Sequence, residues 1–259
     1  MKATAENADA FDGLRRLLVR LRGPEGCPWD RKQTPQSLKI YLLEECYELT
    51  EALDRQAPPE IREELGDLLF ILLFINQVYE EQGLFNLRQV LETITQKMIR
   101  RHPHVFGEAD WQDPGEVVKG WQTIKDEENP KKNPLDSIPA ALPGLLKAHR
   151  LSQRAAGWGF EWPQVRDVFQ KIREELAELE TALDQGEPAA VEEELGDVLF
   201  TLVNLGRVSG CPAENALAKT NQKFSRRFQA MLQDETLGDR DPRTLTPEEW
   251  QSLWRRAKT

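Results

Sequence analysis

Apolar residues recur every three or four positions along most of the chain, with polar residues between them. The clearest stretches are Leu14, Leu17, Leu18 and Leu21; Leu42, Leu43, Tyr47 and Leu49; and Val168, Ile172, Leu176, Leu179 and Leu183. This spacing matches the 3.6-residue period of an α-helix, whereas a half-buried strand alternates every second residue. No stretch shows convincing alternation, so the pattern predicts an all-α protein.

The helical pattern occurs twice. When the chain of 259 residues is shifted by 130 positions, residues 63–70 superpose on residues 193–200 with a single difference. Three acidic positions keep the same register although their neighbours differ: Glu44, Glu45 and Glu48 against Glu174, Glu175 and Glu178. Basic and aromatic positions recur with small drifts of offset: Lys97, Arg101, Trp121 and Lys125 against Lys223, Arg227, Trp254 and Lys258. An internal duplication explains this register.

A proline-rich segment, residues 129–143, separates the two copies and is typical of a linker. Inside each copy a short turn joins two acidic helices, at Ala57-Pro58-Pro59 in the first and Gly186-Glu187-Pro188 in the second. We therefore predict tandem duplicated helical bundles, with a first repeat at residues 1–128, the linker, and a second repeat at residues 144–259.

The composition limits the partners of the protein. A net charge of -10 disfavours nucleic-acid binding, because an acidic surface repels a phosphate backbone. No signal segment opens the chain, and the longest apolar run, Leu68–Ile75, is too short to cross a bilayer. The three cysteines have no metal-ligand spacing and suit reduced thiols. We expect a cytoplasmic protein with neither a membrane partner nor a direct nucleic-acid partner.

Closely spaced carboxylates on two neighbouring helices are the main candidates for chemistry. In the second repeat Glu174, Glu175 and Glu178 lie on one helix, and Glu194 and Asp197 lie on the next. Residues three or four apart share a helical face, and an antiparallel hairpin brings two such faces together. Oxygen donors grouped in this way suit a hard cation, Mg²⁺ or Mn²⁺. No histidine or cysteine belongs to the set, which disfavours zinc.

The alternative is that these acidic faces are simply solvated, as most charge runs are. Against it, like charges four residues apart destabilise a helix, yet both copies keep them. A helical glycine beside each acidic pair, Gly66 and Gly196, also costs about 1 kcal/mol relative to alanine. We interpret these glycines as points of close helix packing beside the site.

A basic helix follows each acidic hairpin. In the second repeat it carries Lys223, Arg226 and Arg227, and a final helix carries Trp254 and Lys258. The cations could form an exposed face that balances the surplus acid, and the tryptophan could be a core anchor. The order of the elements also fits cations that contact phosphates opposite the metal, and a tryptophan that contacts a nucleobase.

Further segments complete a resemblance to the MazG family of nucleoside triphosphate pyrophosphohydrolases, specifically to its two-repeat bacterial members. They are Gly26-Cys27-Pro28-Trp29-Asp30, Gln33-Thr34, Ser37-Leu38, Tyr41-Leu42-Leu43-Glu44-Glu45, both Glu-Glu-Leu-Gly-Asp segments, and Arg101-His102-Pro103-His104-Val105-Phe106. The resemblance spans almost the full chain and implies an all-α bundle that acts as a dimer or higher oligomer. The implied function is Mg²⁺-dependent hydrolysis of NTPs and dNTPs to the monophosphate and pyrophosphate, a house-cleaning role in nucleotide pools.

The resemblance also assigns roles to residues. The implied metal ligands are Glu175, Glu178, Glu194 and Asp197, with Glu45, Glu48, Glu64 and Asp67 in the first repeat. Combined with the interpretation of the basic helices, the predicted nucleotide contacts are Lys171, Lys223, Arg226, Arg227, Trp254 and Lys258, with Lys97, Arg101, Trp121 and Lys125 in the first repeat. Glu174 and Glu175 are candidates for the catalytic base that deprotonates the water attacking the α-phosphorus.

The first repeat departs from the family pattern at two positions. Tyr41 stands where the second repeat has Lys171, and Pro35 stands where the family often has histidine. Since one cation fewer weakens charge stabilisation of a triphosphate, we expect the second repeat to dominate catalysis. The first repeat would then be weak, differently specific or chiefly a dimerisation module. We interpret His102 and His104, in an expected loop after the basic helix, as structural.

Two other functions share some of these features. A dCTP or dUTP pyrophosphatase, or a phosphoribosyl-ATP pyrophosphohydrolase, would have the acidic hairpin, but the duplication and the His-Pro-His-Val-Phe segment favour MazG. A non-catalytic helical adaptor would use the acidic faces to bind a basic partner. The sequence contains no Gly-x-Ser-x-Gly and no P-loop, so neither a serine nucleophile nor P-loop phosphoryl transfer is indicated.

Overall fold

The computed structural model describes residues 2–128, 133–238 and 240–258. Within these ranges the regular elements are α-helices and short 3₁₀ segments, without a strand, which confirms the predicted all-α fold. The first four residues of the predicted linker, 129–132, lie outside the described residues. The chain divides into two compact units, Met1–Asn129 and Pro130–Thr259.

The first unit is built around a helical hairpin. Its helices are α1 (Lys2–Arg22), α2 (Pro28–Lys32), α3 (Pro35–Arg55), α4 (Pro58–Glu81), α5 (Leu87–Arg101), α6 (Pro103–Phe106) and α7 (Pro114–Glu128). The hairpin consists of α3 and α4, and α1 packs on α4. The helices α5 and α7, which follow the hairpin along the chain, contact each other.

The second unit repeats this plan. Its helices are α8 (Gly144–Gly157), α9 (Val165–Gln185), α10 (Pro188–Val208), α11 (Ala213–Leu232) and α12 (Pro247–Arg256), with 3₁₀ segments at Pro134–Ser137, Glu235–Leu237 and Pro242–Thr244. The hairpin consists of α9 and α10, α8 packs on α10, and α11 contacts α12. The duplicated bundles predicted from the sequence are therefore observed.

Local sequence explains where the hairpin helices begin and end. Thr34 and Ser37 exchange hydrogen bonds in a capping box that starts α3. Proline at the first position of α4 and of α10 fits a helix start, because its missing N–H would be unsatisfied there. Both preceding turns use a left-handed residue, Gln56 at φ 54° and Gly186 at φ 69°. Only the glycine adopts this conformation without steric cost.

The side chains buried between the first helix and the hairpin are apolar in the first unit and partly polar in the second. In the first unit the core is apolar and consists of Leu18, Leu38, Leu73, Phe74 and Val78. In the second unit Asn204 occupies the position that matches Phe74, and Ser152 Oγ lies 2.5 Å from its Oδ1. Arg207 donates to Ser152 Oγ at 2.6 Å, so a hydrogen-bonded network replaces part of the apolar core.

Gly66 and Gly196 do not mark close packing, because a methyl group added at either glycine would meet nothing within 4 Å. That interpretation was wrong: both glycines lie on a face of the hairpin that is exposed within its unit. Across the described ranges, every helix is too short or too polar to span a membrane.

Candidate metal centres and basic clusters

The hairpin of the first unit brings three carboxylates together. Glu45 projects from α3, and Glu64 and Asp67 project from the first half of α4. One oxygen from each of these carboxylates lies within 4.8 Å of the others. Residues far apart in sequence meet here because the turn after α3 folds α4 back along it. The spacing is short enough for one cation to contact all three side chains.

The second unit repeats this arrangement with the equivalent residues. Glu175 from α9 and Glu194 and Asp197 from α10 also place one oxygen each within 4.8 Å of one another. Glu175 is buried, with 5% of its surface exposed. A buried carboxylate costs free energy unless a cation or hydrogen bonds balance it. The recurrence of the cluster argues against an accidental acidic face.

The fourth predicted ligand of each repeat lies beside these three-residue clusters. Loss of solvation raises the pKa of Glu64 most, and the neighbouring charge of Glu48 raises it further. The pKa of Glu178 is raised by loss of solvation and then by its hydrogen bond with Glu175. Glu48 and Glu178 are therefore neighbours of the clusters, placed one helical turn along α3 and α9.

The cation content distinguishes the two sites. In the second repeat Lys171 Nζ lies 2.5 Å from Glu174 Oε1 and 3.0 Å from Glu175 Oε1. Hydrogen bonds to these two carboxylates raise the pKa of Lys171, which stays charged. In the first repeat Tyr41 takes this position and packs edge-on against Trp29, with ring centres 5.8 Å apart. The first site therefore lacks this internal counter-charge.

The donor chemistry fits a divalent oxygen-preferring cation. Burial is the main cause of the raised pKa of Glu45, and the charges of Asp67, Glu48 and Glu64 raise it further. These carboxylates repel one another, and a divalent ion would reverse that unfavourable interaction. Neither cluster includes a histidine or a cysteine. Mg²⁺ or Mn²⁺ fits this set better than zinc does.

Apart from Lys171, the predicted nucleotide contacts lie on α5 and α7 in the first unit, and on α11, on α12 or just after α12 in the second. Arg101 Cζ lies 5.9 Å from the ring centre of Trp121, and Arg227 Cζ lies 5.7 Å from that of Trp254. Lys258 Nζ also faces the Trp254 ring, at 5.8 Å. An arginine therefore lies beside the equivalent tryptophan in both repeats.

The remaining predicted cations lie on the same helices but do not reach the carboxylates. Lys97 and Lys125 are half-buried on α5 and α7, and Lys223 and Arg226 are exposed on α11. Among the described residues, no ion pair joins the metal-candidate carboxylates to α5 or α11. The cations that the sequence places opposite the metal thus remain separate from it within one unit.

The histidines near the end of α5 are packed rather than free. The residues after α5 form the short helix α6, not the expected loop, because proline at its first position supports a helical turn. His102 Nδ1 lies 2.6 Å from the carbonyl oxygen of Met98, and the His104 ring packs 5.2 Å from that of Trp111. These contacts support the structural interpretation of both histidines.

Sequence reasoning missed the arginines that anchor the segments leading into the hairpins. Arg22 donates to the carbonyl oxygen of Asp30 at 2.6 Å and pairs with Glu81 at 2.6 Å. Arg207 pairs with Glu161 at 2.5 Å, just before α9. At the 130-residue offset Arg22 of α1 matches Ser152 of α8, whereas Arg207 lies on α10. The two arginines therefore come from helices that are not equivalent in the two repeats. A comparison of the two copies for compensating changes could have found them.

Comparisons with known proteins agree with this duplicated architecture. The chain matches the MazG nucleotide pyrophosphohydrolase domain twice, over residues 33–106 and 165–231. It is 43% identical over 253 residues to a Thermotoga maritima nucleoside triphosphate pyrophosphohydrolase/pyrophosphatase MazG, covering 96% of this chain and 95% of the relative. It is 42% identical over 227 residues to a nucleoside triphosphate pyrophosphohydrolase of Escherichia coli K12, covering 84% of this chain and 85% of the relative.

A Bacillus subtilis protein named YabN is 41% identical over 251 residues, which cover 96% of this chain and 51% of the relative. The class that these matches define is an all-α nucleotide pyrophosphohydrolase, an enzyme that hydrolyses phosphoanhydride bonds. Within that class, the chain belongs to the MazG family, which confirms the resemblance seen in the sequence.

Proposed function

We propose that the protein is a Mg²⁺-dependent nucleoside triphosphate pyrophosphohydrolase that converts NTPs and dNTPs to the monophosphate and pyrophosphate. The observation that carries this proposal is the duplicated carboxylate cluster, which recurs with equivalent residues in both units. The names of the relatives from Thermotoga maritima and Escherichia coli support the substrate class. A role in nucleotide-pool house-cleaning and a cytoplasmic location belong to the same proposal, and the free cysteines support the latter.

The carboxylates of each hairpin are proposed to hold the metal. In the second repeat these are Glu175, Glu178, Glu194 and Asp197, and in the first they are Glu45, Glu48, Glu64 and Asp67. Bound Mg²⁺, for which Mn²⁺ could substitute, supplies neutralisation of the triphosphate charge and activation of water. The protein contributes two fixed pairs of oxygen donors, held face to face by the hairpin.

The proton from the attacking water is proposed to pass to a carboxylate on α9. Glu174 and Glu175 are the candidates, and both contact Lys171. The ammonium group can hold these carboxylates in position by hydrogen bonding. Glu174 is exposed and Glu175 is buried in the cluster, so the two differ in access to water.

The basic clusters are proposed to bind the nucleotide. In the second repeat these residues are Lys171, Lys223, Arg226, Arg227, Trp254 and Lys258, and in the first they are Lys97, Arg101, Trp121 and Lys125. Guanidinium groups donate paired hydrogen bonds to phosphate oxygens, and an indole ring offers a flat surface for a base. Lys171 contacts the carboxylate cluster itself, so it can face both the metal and the phosphates.

We also propose that the protein assembles as a homodimer. The hairpin helix that carries Glu64 or Glu194 exposes the same apolar stripe in both units: Leu65, Leu69 and Leu72, and Leu195, Leu199 and Leu202, between 38% and 52% exposed. Side chains three and four apart form one continuous face of a helix. A second copy, which carries the same self-complementary stripe, would bury this face.

Sedimentation equilibrium tests the assembly. The unsubstituted chain should have twice the mass of one chain, and Leu199→Glu should shift it toward the single-chain mass. Leu84→Glu is the matched control, because Leu84 is exposed but lies outside the stripe. A single-chain mass for the unsubstituted protein at micromolar concentration would contradict the dimer.

The activity is tested by measuring pyrophosphate release from a panel of NTPs and dNTPs with Mg²⁺ and with EDTA. We expect release from several nucleotides with Mg²⁺ and none with EDTA. Release from dCTP or dUTP alone would favour the narrower enzyme, and no release would favour the helical adaptor. Primary products of nucleoside diphosphate and orthophosphate would contradict cleavage between the α and β phosphates.

A further inference from the structure

The two repeats place an arginine against an equivalent tryptophan with nearly the same geometry. The distance from guanidinium to ring centre is 5.9 Å for Arg101 and Trp121, and 5.7 Å for Arg227 and Trp254. The two pairs are equivalent in sequence as well. The repeats differ in what else contacts the arginine.

In the first repeat a carboxylate occupies the donors of this arginine. Glu128, at the end of α7, accepts hydrogen bonds from Arg101 Nη2 at 2.6 Å and from Arg101 Nε at 3.0 Å. Its other oxygen accepts from Arg100 Nε at 2.5 Å. The side chains of Arg101 and Glu128 are only 11% and 15% exposed. Glu128 therefore binds two adjacent guanidinium groups in the way a phosphate would.

In the second repeat the equivalent arginines carry no such partner. Among the described residues, no carboxylate lies within ion-pair distance of Arg226 or Arg227. The last helix, α12, is held by a different ion pair, in which Arg256 Nε lies 2.9 Å from Asp234 Oδ2. Leu253 of α12 is also buried against Met231 of α11. These contacts hold α12 in place without an ion pair to the N–H groups of Arg226 or Arg227.

We infer that Glu128 is a specificity-determining residue: it acts as an internal anion that occupies the phosphate-binding arginines of the first repeat. The inference rests on the proposed function, in which Arg101 contacts the nucleotide, as do Arg226 and Arg227, the second-repeat equivalents of Arg100 and Arg101. Carboxylate and phosphate oxygens accept the same guanidinium N–H groups, so a triphosphate must displace Glu128 before it binds Arg100 and Arg101. The first repeat consequently binds polyphosphate more weakly than the second, even where its metal ligands are equivalent.

Pyrophosphate binding by the full chain tests this inference. Glu194→Ala/Asp197→Ala combined with Arg226→Gln/Arg227→Gln removes both the metal ligands and the unpaired arginines of the second repeat, so calorimetry with Mg²⁺ and inorganic pyrophosphate then reports on the first. Adding Glu128→Gln should tighten pyrophosphate binding by about tenfold, since the amide keeps the shape but loses the charge. Glu127→Gln is the matched control, because Glu127 is an exposed residue of the same helix and its loss should leave affinity unchanged.

A reciprocal pair of variants covers the case in which Glu128→Gln does not fold. In a chain whose first repeat is disabled by Glu64→Ala/Asp67→Ala, Lys258→Glu places a carboxylate just after α12, beside the Trp254 ring that Arg227 also contacts. It should weaken pyrophosphate binding by about tenfold more than Lys258→Gln does.

An unchanged dissociation constant for folded Glu128→Gln overturns the inference. If that variant does not fold, equal affinities of the two Lys258 variants overturn it. Failure of the proposed function would look different, because the unsubstituted chain would then release no pyrophosphate from any nucleotide.

Discussion

The two acidic hairpins of this protein carry equivalent carboxylates but balance their charge differently. In the second hairpin Lys171 contacts Glu174 and Glu175. In the first, Tyr41 takes the position of Lys171 and packs against Trp29, so the carboxylates there lack that positive charge. Burial and then mutual repulsion accordingly raise the pKa of both Glu45 and Glu64. In the second repeat the positive charge of Lys171 opposes the rise in the pKa of Glu178.

At the basic clusters it is the first repeat, not the second, that carries an internal counter-charge. This counter-charge is Glu128, whereas Arg226 and Arg227 of the second repeat have no ion-pair partner among the described residues. In the part of the chain that the structure describes, the second repeat therefore combines a carboxylate cluster balanced by Lys171 with arginines that have no ion-pair partner, while the first combines an unbalanced carboxylate cluster with paired arginines. Duplication preserved the ligands, and the surrounding charges distinguish the copies. This contrast predicts unequal catalysis by repeats whose metal ligands match.

The largest expected effect comes from removing one ligand of the second site. Asp197→Ala or Glu178→Ala should reduce NTP hydrolysis by about a hundredfold or more, because charge stabilisation at the reacting phosphate depends on the metal. Far-UV circular dichroism should stay helical, since removing one of several like charges relieves repulsion. Wild-type turnover by either variant at saturating Mg²⁺ would rule out the metal assignment.

Disabling each repeat in turn sharpens the comparison. Glu194→Ala/Asp197→Ala should cost about tenfold or more in kcat/KM relative to Glu64→Ala/Asp67→Ala, because the second repeat has Lys171 and unoccupied arginines. The two variants remove equivalent ligands and act as controls for each other. A larger loss from the first pair on most nucleotides would show that the active repeat has been assigned backwards.

A smaller effect is expected from the single residue that distinguishes the hairpins. Lys171→Tyr copies the first repeat into the second and should lower kcat/KM about tenfold, because it removes one cation from the triphosphate site. Lys147→Gln is the matched control, a lysine of α8 outside the hairpin. Unchanged kcat/KM on every nucleotide would contradict this role of Lys171, and a changed order of nucleotide preference without a general loss would assign the Lys-to-Tyr difference to base preference.

The smallest effect concerns stability without metal. The pKa of Glu64 in the folded state is raised above 4.5. Protonated Glu64 therefore favours the folded state below pH 4.5, and this stabilisation is lost as the pH rises through the folded-state pKa. Glu64→Gln should therefore raise the melting temperature in EDTA at pH 7 by about 1–3 °C. Glu178→Gln should gain less, since Lys171 offsets that charge. Equal shifts at pH 5 and pH 7 would contradict the repulsion.

Much of this architecture could be predicted because it is encoded locally. The three-to-four-residue spacing of apolar side chains and the proline-marked turns predicted the hairpins of α3 with α4 and of α9 with α10. The carboxylates could be paired across each hairpin because helical geometry fixes which residues share a face. The duplication then indicated which acidic residues mattered.

Contacts between distant elements could not be predicted in the same way. Glu128 looks like one of many acidic residues until α7 is seen against Arg101, and Arg22 and Arg207 gain their roles only from the segments they anchor. The packing expected around Gly66 and Gly196 was absent, because a helical pattern does not say which face of the hairpin stays open. Such pairings depend on tertiary geometry that spacing along one helix does not contain.

The most direct test of the account is the binding of Mn²⁺ to the full chain, followed by electron paramagnetic resonance. If the hairpin carboxylates hold the cation, Glu64→Ala/Asp67→Ala and Glu194→Ala/Asp197→Ala should each remove about half of the saturable binding. All four substitutions together should remove it entirely while the helical signal remains. Saturable Mn²⁺ binding that survives the fourfold variant at the level of the unsubstituted protein would contradict the metal centres proposed for both repeats.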